Sequence, residues 1–461
     1  MSFTVTTPIY YVNGAPHLGH AYTTIAADVL ARHHRQRGED VFFLTGTDEH
    51  GEPVALAAEK LGVTPQELAD TNAERFKALA PLLDASNDFF IRTTDPEHKA
   101  GVQAILQTVK DNGYVELGRY EGWYCPRCAD FKNENEVEDG DKCAIHHIVL
   151  TRESEENWFF KLSAFQERLE ALYAEQPEFV LPRERRNEAL AFIEGGLQDV
   201  SLSRGAKLQW GVQVPWDPEH VFYVWFDAPI EYIGATEEWA EANGTTWRDW
   251  WRLDEGAANP ENPVRYVQFM GKDNVAFHTV SFPATILGSG EPWKTVDTLK
   301  AFNWLNWYGG KFSTSQKRGV FMDQALEILP ADYWRWHLTA YGPEGSDAAF
   351  TWEQFQSTTN KDLADVLGNF VNRILKFTET RFEGVVPAGG VDGHEGWLVH
   401  GADRVPVPRV SGGHVDFYAA VGRWILDGGP VPVDPEDAVR TAQVLEAAVV
   451  SAREGRVVRL D

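Results

Sequence analysis

Residues 3–20 read Phe3-Thr4-Val5-Thr6-Thr7-Pro8-Ile9-Tyr10-Tyr11-Val12-Asn13-Gly14-Ala15-Pro16-His17-Leu18-Gly19-His20. The first ten are rich in β-branched and aromatic types and predict a strand that Pro8 bends or ends. Asn13-Gly14-Ala15-Pro16 is turn chemistry. From Leu18 to about Gly38 the periodicity is helical, with Ile25, Ala26, Val29 and Leu30 on one face and Gly38 as the stop. Val41-Phe42-Phe43-Leu44 then predicts a short buried strand. Strand, helix and strand in so short a span open a parallel α/β sheet. Tyr223-Val224-Trp225-Phe226 and Tyr266-Val267-Gln268-Phe269-Met270 predict later strands of the same sheet.

The rest of the composition fits that class. The chain has 461 residues, 43% of them hydrophobic and 24% charged, enough for about three domains. No stretch approaches the ~18 uncharged apolar residues of a membrane span. The N-terminus lacks the charged-then-apolar order of a signal peptide, so the expected location is cytoplasmic. A net charge of −27 excludes a generally basic nucleic-acid coat, though not a local RNA-binding patch. No lysine occurs after Lys376, and beyond Phe382 the chain turns rich in Gly, Pro and Val.

His17-Leu18-Gly19-His20 falls at the carboxyl end of the first strand, where open α/β sheets bind ligands. The helix N-terminus there favours anions. Gly19 lets a ligand approach the backbone, and two imidazoles three apart suit a nucleotide triphosphate and the charge that builds on it during transfer. The only cysteines are Cys125, Cys128 and Cys143. Cys125-x-x-Cys128, then fourteen residues, then Cys143-x-x-His146 is the paired spacing of a tetrahedral zinc knuckle. His147 is the alternative fourth ligand.

Thr7–His20 together with Leu44-Thr45-Gly46-Thr47-Asp48-Glu49-His50-Gly51 resembles the start of the methionyl-tRNA synthetases. His17–His20 matches the first signature of class I aminoacyl-tRNA synthetases, and Lys311-Phe312-Ser313-Thr314-Ser315 resembles the second. Tyr223–Ile230 and Gly271-Lys272-Asp273-Asn274 resemble the family's amino-acid-pocket strand and ribose-binding turn. The resemblance covers about residues 1–380. It implies an α/β class I fold: a parallel, Rossmann-like nucleotide-binding sheet, a zinc-knuckle insertion, a small loop-bearing α/β domain and a truncated helical C-terminal region. The implied divisions are 1–115 and 224–308 for the catalytic domain, 116–223 for the insertion, 309–357 for the loop domain, 358–384 for the start of an anticodon-binding-like region and 385–461 for an atypical tail.

The same resemblance assigns roles. The catalytic set is His17, His20, Lys311, Lys317 and Arg318. ATP, as its Mg2+ complex, is expected on His17, Gly19, His20, Gly271, Asp273, Lys311, Ser313, Thr314 and Ser315. Methionine is expected among Ile9, Tyr11, Asp48, Trp225, Ala228, Pro229, Tyr232 and His278, whose aromatic walls suit a polarizable thioether. Asp48 is placed to hold the α-ammonium group. Asp227 reads equally as a site residue or as a strand-end carboxylate. One structural Zn2+ is expected on Cys125, Cys128, Cys143 and His146. Asn369 and Arg373 fall at anticodon-reading positions for tRNA.

Two departures qualify the match. Thr314 stands where a second lysine is usual, with Lys317 and Arg318 close by to supply the charge. After the first anticodon-type helix the family pattern stops. His414–Tyr418, Gly428–Asp434 and Val444–Arg456 instead resemble the tail of glucose–fructose-oxidoreductase-like dehydrogenases, with Asp437–Arg453 reading as an amphipathic helix. The Gly-x-Gly-x-x-Gly fingerprint is absent from the chain, so no nicotinamide chemistry is expected. Alternative readings are a tRNA-independent amide ligase that passes the adenylate to a small amine, and a weakly active regulatory paralogue.

Overall fold

A computed structural model describes residues 2–125, 130–132, 137–144, 147–205, 209–259, 263–312, 318–382, 396–400 and 403–407. Residues Met1–Asn369 form one compact unit and Phe370–Asp461 a second.

The first unit is built on a seven-stranded sheet whose pairings are all parallel. Its strands are β1 (Ser2–Thr6), β2 (Tyr10–Tyr11), β3 (Asp40–Asp48), β4 (Phe89–Arg92), β5 (Val180–Leu181), β6 (Val264–Gly271) and β7 (Thr298–Phe302). The spatial order is β5-β7-β6-β1-β3-β2, with β4 also paired to β3. Helices cover both faces, so strands read as continuous apolar runs rather than alternating ones. In β3, Val41 and Phe43 enter one core with Phe3, Val5, Leu18 and Ile25, while Phe42 and Leu44 enter the other with Ile91 and Tyr266.

Pro8 does end β1. The chain then rejoins the sheet as β2, where Tyr10 and Tyr11 pair with Thr47 and Asp48. Helix α1 (Leu18–Gln36) follows, and Gly38 at φ +77 turns the chain beyond its end. The buried stripe of α1 is rotated from the expected one. Leu18, Ala21, Ile25, Asp28 and Ala31 are buried, whereas Val29 is 43% exposed. Asp28 turns inward because its carboxylate accepts from Ser86, Arg32 and Arg335. Helices α2 (Glu52–Leu61), α3 (Pro65–Leu82) and α4 (Pro96–Asp111) complete this half.

The inserted segment carries a long antiparallel pair, Val115–Cys125 against Thr151–Phe160. It then returns to the main sheet, supplying β5 as an edge strand parallel to Leu299 and Lys300. Tyr223–Phe226 corrects the sequence reading. The strand ends at Phe222, and Val224–Asp227 is a single helical turn, α5, leading through Ala228–Ile230 into α6 (Glu231–Asn243). The aromatic, β-branched composition favours a strand, but Pro229 offers no amide proton and suits the start of a helical turn.

Beyond β7, Leu305–Trp307 pairs with Ala348–Phe350, and α7 (Ala331–Tyr341) packs its Trp334 on Phe350 and Phe355. The second unit holds α8 (Asn369–Phe382), apart from its first residue, and the antiparallel pair Gly396–His400 and Asp403–Val407. The expected helix Asp437–Arg453 lies outside the described residues. Among the described residues no helix is long and apolar enough to cross a membrane.

Candidate active site

The carboxyl ends of β6 and β7 and the segment from β1 through β2 converge on one cleft of about 340 Å³. His17 and His20 lie on its wall at the start of α1. His17 is extended (φ −123, ψ 176) and caps the helix: its Nδ1 accepts from the Gly19 amide at 3.0 Å. The His17 amide in turn donates to His20 Nδ1 at 3.0 Å. Two backbone donors at the helix start are thereby satisfied reciprocally. Both Nδ1 atoms act as acceptors, so each neutral ring carries its proton on Nε2.

Burial keeps both rings neutral. It lowers the His17 pKa to about 4, and it pushes His20 well below the ordinary value, with His17 adding to the effect. The His17 ring stacks on Phe312, centroids 4.9 Å apart and planes 8° apart. His20 meets the faces of Tyr10 and Phe76 edge-on. Gly19 is required here, because a Cβ would lie 2.9 Å from His17 Cε1.

Across the cleft, Gly271 ends β6 and Asp273 follows it. A Cβ on Gly271 would lie 2.6 Å from Asp273 Oδ1, so glycine leaves that carboxylate its place. Lys272 turns away and pairs with Asp347 at 2.6 Å. Lys311 lines the cleft, its ammonium 4.0 Å from the Trp304 ring centroid. Arg318 packs against Gly310 and is not among the lining residues. Ser313, Thr314, Ser315 and Lys317 lie outside the described residues. The sequence reading missed Asn274, Trp304 and Asn306. Asn274 closes the recognised Gly271–Asn274 motif but was given no role of its own; the other two carry no local signal and arrive only because β7 ends beside β6.

A second, small cavity of about 10 Å³ adjoins the first, with Ile9, Tyr11 and Asn274 lining both. Its other walls are Asp48, Trp225, Ala228, Tyr232, Met270 and His278. All the expected pocket residues meet here except Pro229, which is buried in the turn that follows α5. Trp225 stacks on Phe277 at 4.1 Å and stands edge-on to Tyr11. His278 Nδ1 donates to the Asn274 carbonyl at 3.0 Å, which leaves Nε2 as a buried acceptor without a hydrogen bond. Burial lowers its pKa to about 4.

Asp48 ends β3, and its Oδ1 is buried with no hydrogen-bond partner. Burial, reinforced by neighbouring Asp227, pushes its pKa well above the carboxylate range. A buried acceptor left unmatched costs about 1–3 kcal/mol, more when charged. The arrangement therefore gains from an incoming cation.

In the insertion, Cys125 and Cys143 are fully buried beside Leu150. Cys128 and His146 lie outside the described residues, and among those described no three metal-ligating side chains cluster. His147, the alternative ligand, points outward instead, 3.1 Å from Glu138 with a side chain 70% exposed. Asn369 and Arg373 are both exposed on α8.

The sequence profile described as tRNA synthetases class I (M) matches residues 3–143 and 139–375. The methionine–tRNA ligase of Maricaulis maris is 43% identical over 498 aligned residues, covering 98% of this chain and 85% of that protein. That of Caulobacter vibrioides is 46% identical over 430 residues, covering 84% and 74%. The crystal structure of Mycobacterium tuberculosis methionyl-tRNA synthetase bound by methionyl-adenylate superposes with a TM-score of 0.75 at 35% identity, covering 85% of this chain and 74% of the other. With the nucleotide-type sheet, the His17–His20 corner and the paired cavities in place, these matches show that the chain belongs to the class I tRNA synthetases of the methionyl type.

Proposed function

We propose that this chain is a methionine–tRNA ligase that makes methionyl-adenylate across the two joined cavities. The supporting observation is Asp48: a buried carboxylate oxygen without a partner, in an aromatic cavity that opens beside a nucleotide-sized cleft. The α-ammonium of methionine takes that oxygen, and the thioether packs among Tyr11, Trp225, Tyr232 and His278. At about 10 Å³ the cavity holds no more than a water, so the aromatic walls move as methionine enters.

ATP, as its Mg2+ complex, occupies the larger cleft, with Asp273 accepting from the ribose hydroxyls. The methionine carboxylate attacks the α-phosphorus, and pyrophosphate leaves. The Nε2–H groups of His17 and His20 and the ammonium of Lys311 donate to the phosphates as charge shifts onto them. Catalysis is by positioning and electrostatics, with no covalent enzyme intermediate. Lys317 and Arg318 are proposed to add charge when the signature loop closes. Cys125, Cys128, Cys143 and His146 are proposed to hold one structural zinc. Two buried thiols in a small core suit thiolate ligands, and the metal would fasten a segment with little apolar packing of its own.

Adenylate formation needs only the first unit, whereas charging also needs a contact with the tRNA body. We assign that contact to Asn369 and Arg373. The recognisable anticodon region is a single helix in a chain of net charge −27, so charging is expected to lag behind adenylation. Pyrophosphate exchange into ATP, measured with methionine, leucine and valine, and charging of total tRNA with labelled methionine test both statements. Methionine should drive exchange alone. Preferential exchange with leucine or valine refutes the pocket assignment, and anticodon-dependent charging as fast as exchange refutes the lag. Transfer to a small amine without tRNA favours the amide-ligase alternative.

A further inference from the structure

Asp227 stands one turn behind the methionine pocket and touches neither cavity. It is fully buried at the end of α5, and both of its carboxylate oxygens are taken by imidazoles. His50 Nδ1 lies 2.8 Å from Oδ2, and His98 Nε2 lies 2.8 Å from Oδ1. Both histidines are buried. The three residues come from three separate places: the loop after β3, the first turn of α4, and α5.

The placement matters because of what sits beside each partner. His50 is two residues after Asp48, the carboxylate that faces the cavity. Asp227 is two residues after Trp225 and one before Ala228, both cavity walls. In a helical turn two residues differ by about 200°, so Trp225 faces the cavity while Asp227 faces away toward the histidines. The His50 loop is pinned on its other side by Trp210, whose Nε1 donates to the Glu49 carbonyl at 2.6 Å and whose carbonyl accepts from the Gly51 amide at 3.2 Å. One carboxylate therefore fixes the spacing between the ionic wall and the aromatic wall. Burial alone would raise the Asp227 pKa, but the two imidazoles outweigh it and hold it at about 2, so the anchor stays ionised at any working pH.

We propose that Asp227 is a positioning residue for amino-acid binding, holding His50 and His98 so that Asp48 and Trp225 keep the separation methionine requires. The inference rests on the pocket reading above. It concerns geometry rather than contact, so it is tested by replacements that keep one donor atom and discard the rest of the ring. In His50→Asn the amide Nδ2 stands in for imidazole Nδ1, and in His98→Gln the Nε2 does the same. These two should retain a methionine KM near that of the wild type in pyrophosphate exchange. His50→Ala, His98→Ala and Asp227→Ala should raise it by about 10²-fold, the scale of a small misplacement transmitted to a reacting group, with the KM for ATP unchanged. If Asp227→Ala does not fold, the two histidine pairs carry the test. Equal damage from the amide and alanine replacements, or methionine and ATP KM values rising together, would overturn the inference. A wild-type chain with no methionine-dependent exchange would instead bring down the pocket reading beneath it.

Discussion

The proposed reaction gives His17 two jobs on two nitrogens, and they can be separated. Nδ1 caps α1 by accepting from Gly19, and Nε2 is left for the cleft. Asparagine caps helices as well as any residue but carries nothing at the Nε2 position. His17→Asn should therefore leave the melting temperature close to that of the wild type while slowing pyrophosphate exchange by about 10²–10³-fold, the usual loss for one transition-state donor. A fall in melting temperature with little change in rate would mean that His17 is structural. Asp48→Ala makes a complementary prediction. Removing the partner of a desolvated ammonium costs about 3–5 kcal/mol, so methionine affinity, read by calorimetry, should drop by two orders of magnitude or more. Normal methionine binding by that variant would show that another group holds the ammonium.

At the scale of elements, two segments lack a large core of their own. The small cluster around Cys125, Cys143 and Leu150 offers few buried apolar contacts. Metal analysis of the purified chain should give about one zinc, with zinc–sulfur distances of about 2.3 Å by X-ray absorption. Chelation should open protease sites in the insertion before the main sheet unfolds. Metal-free protein with an intact, protected insertion would contradict this. The second segment surrounds α7, which shares the core of β1 and α1; its His337 is packed against Phe350, Phe355 and Tyr341 and meets Thr358 Oγ1 at 3.1 Å. Burial lowers its pKa to about 4. Between pH 6.5 and 4 the unfolded chain takes up a proton at this ring that the folded chain refuses. The stability it supports is complete above pH 6.5 and declines as the pH falls toward 4. His337→Phe removes that proton uptake, so its melting temperature relative to wild type should improve steadily from pH 7 to pH 5. A pH-independent difference would rule the linkage out.

For the molecule as a whole, the site is a consequence of parallel strand order. His17, Asp48, Asp273 and Trp304 are far apart in the chain, yet Asp48 ends β3, Asp273 and Trp304 follow the carboxyl ends of β6 and β7, and His17 follows the β1–β2 segment, in one parallel sheet. Crossover connections bring all four ends to one edge, the usual binding edge of open α/β sheets. The insertion does not stand apart from this frame, because it returns β5 to the sheet edge. The alignment with the Maricaulis maris protein spans 98% of the chain, so it extends into the segment whose sequence suggested a dehydrogenase-like tail.

The first 50 residues were legible because their signals are local: β-branched runs, an Asn-Gly turn, a glycine stop and two histidines at a helix start. That Ile9, Asp48, Trp225 and His278 line one cavity was legible only through motif order, since nothing in their spacing brings them together. Val29 and Tyr223–Phe226 were misread for one reason. Local pattern ranks residues by hydrophobicity, whereas the fold turned α1 to satisfy the buried Asp28 and coiled α5 so that Trp225 and Asp227 face opposite ways. His98 gave no signal at all, because its importance comes from a carboxylate 129 positions away. Composition and local pattern thus specify strands, helix ends and the residue types available for chemistry. Which buried polar groups meet, and therefore which face of each element turns inward, is settled only when distant segments pack, because an unpaired charge in the core costs more than a misplaced valine at the surface.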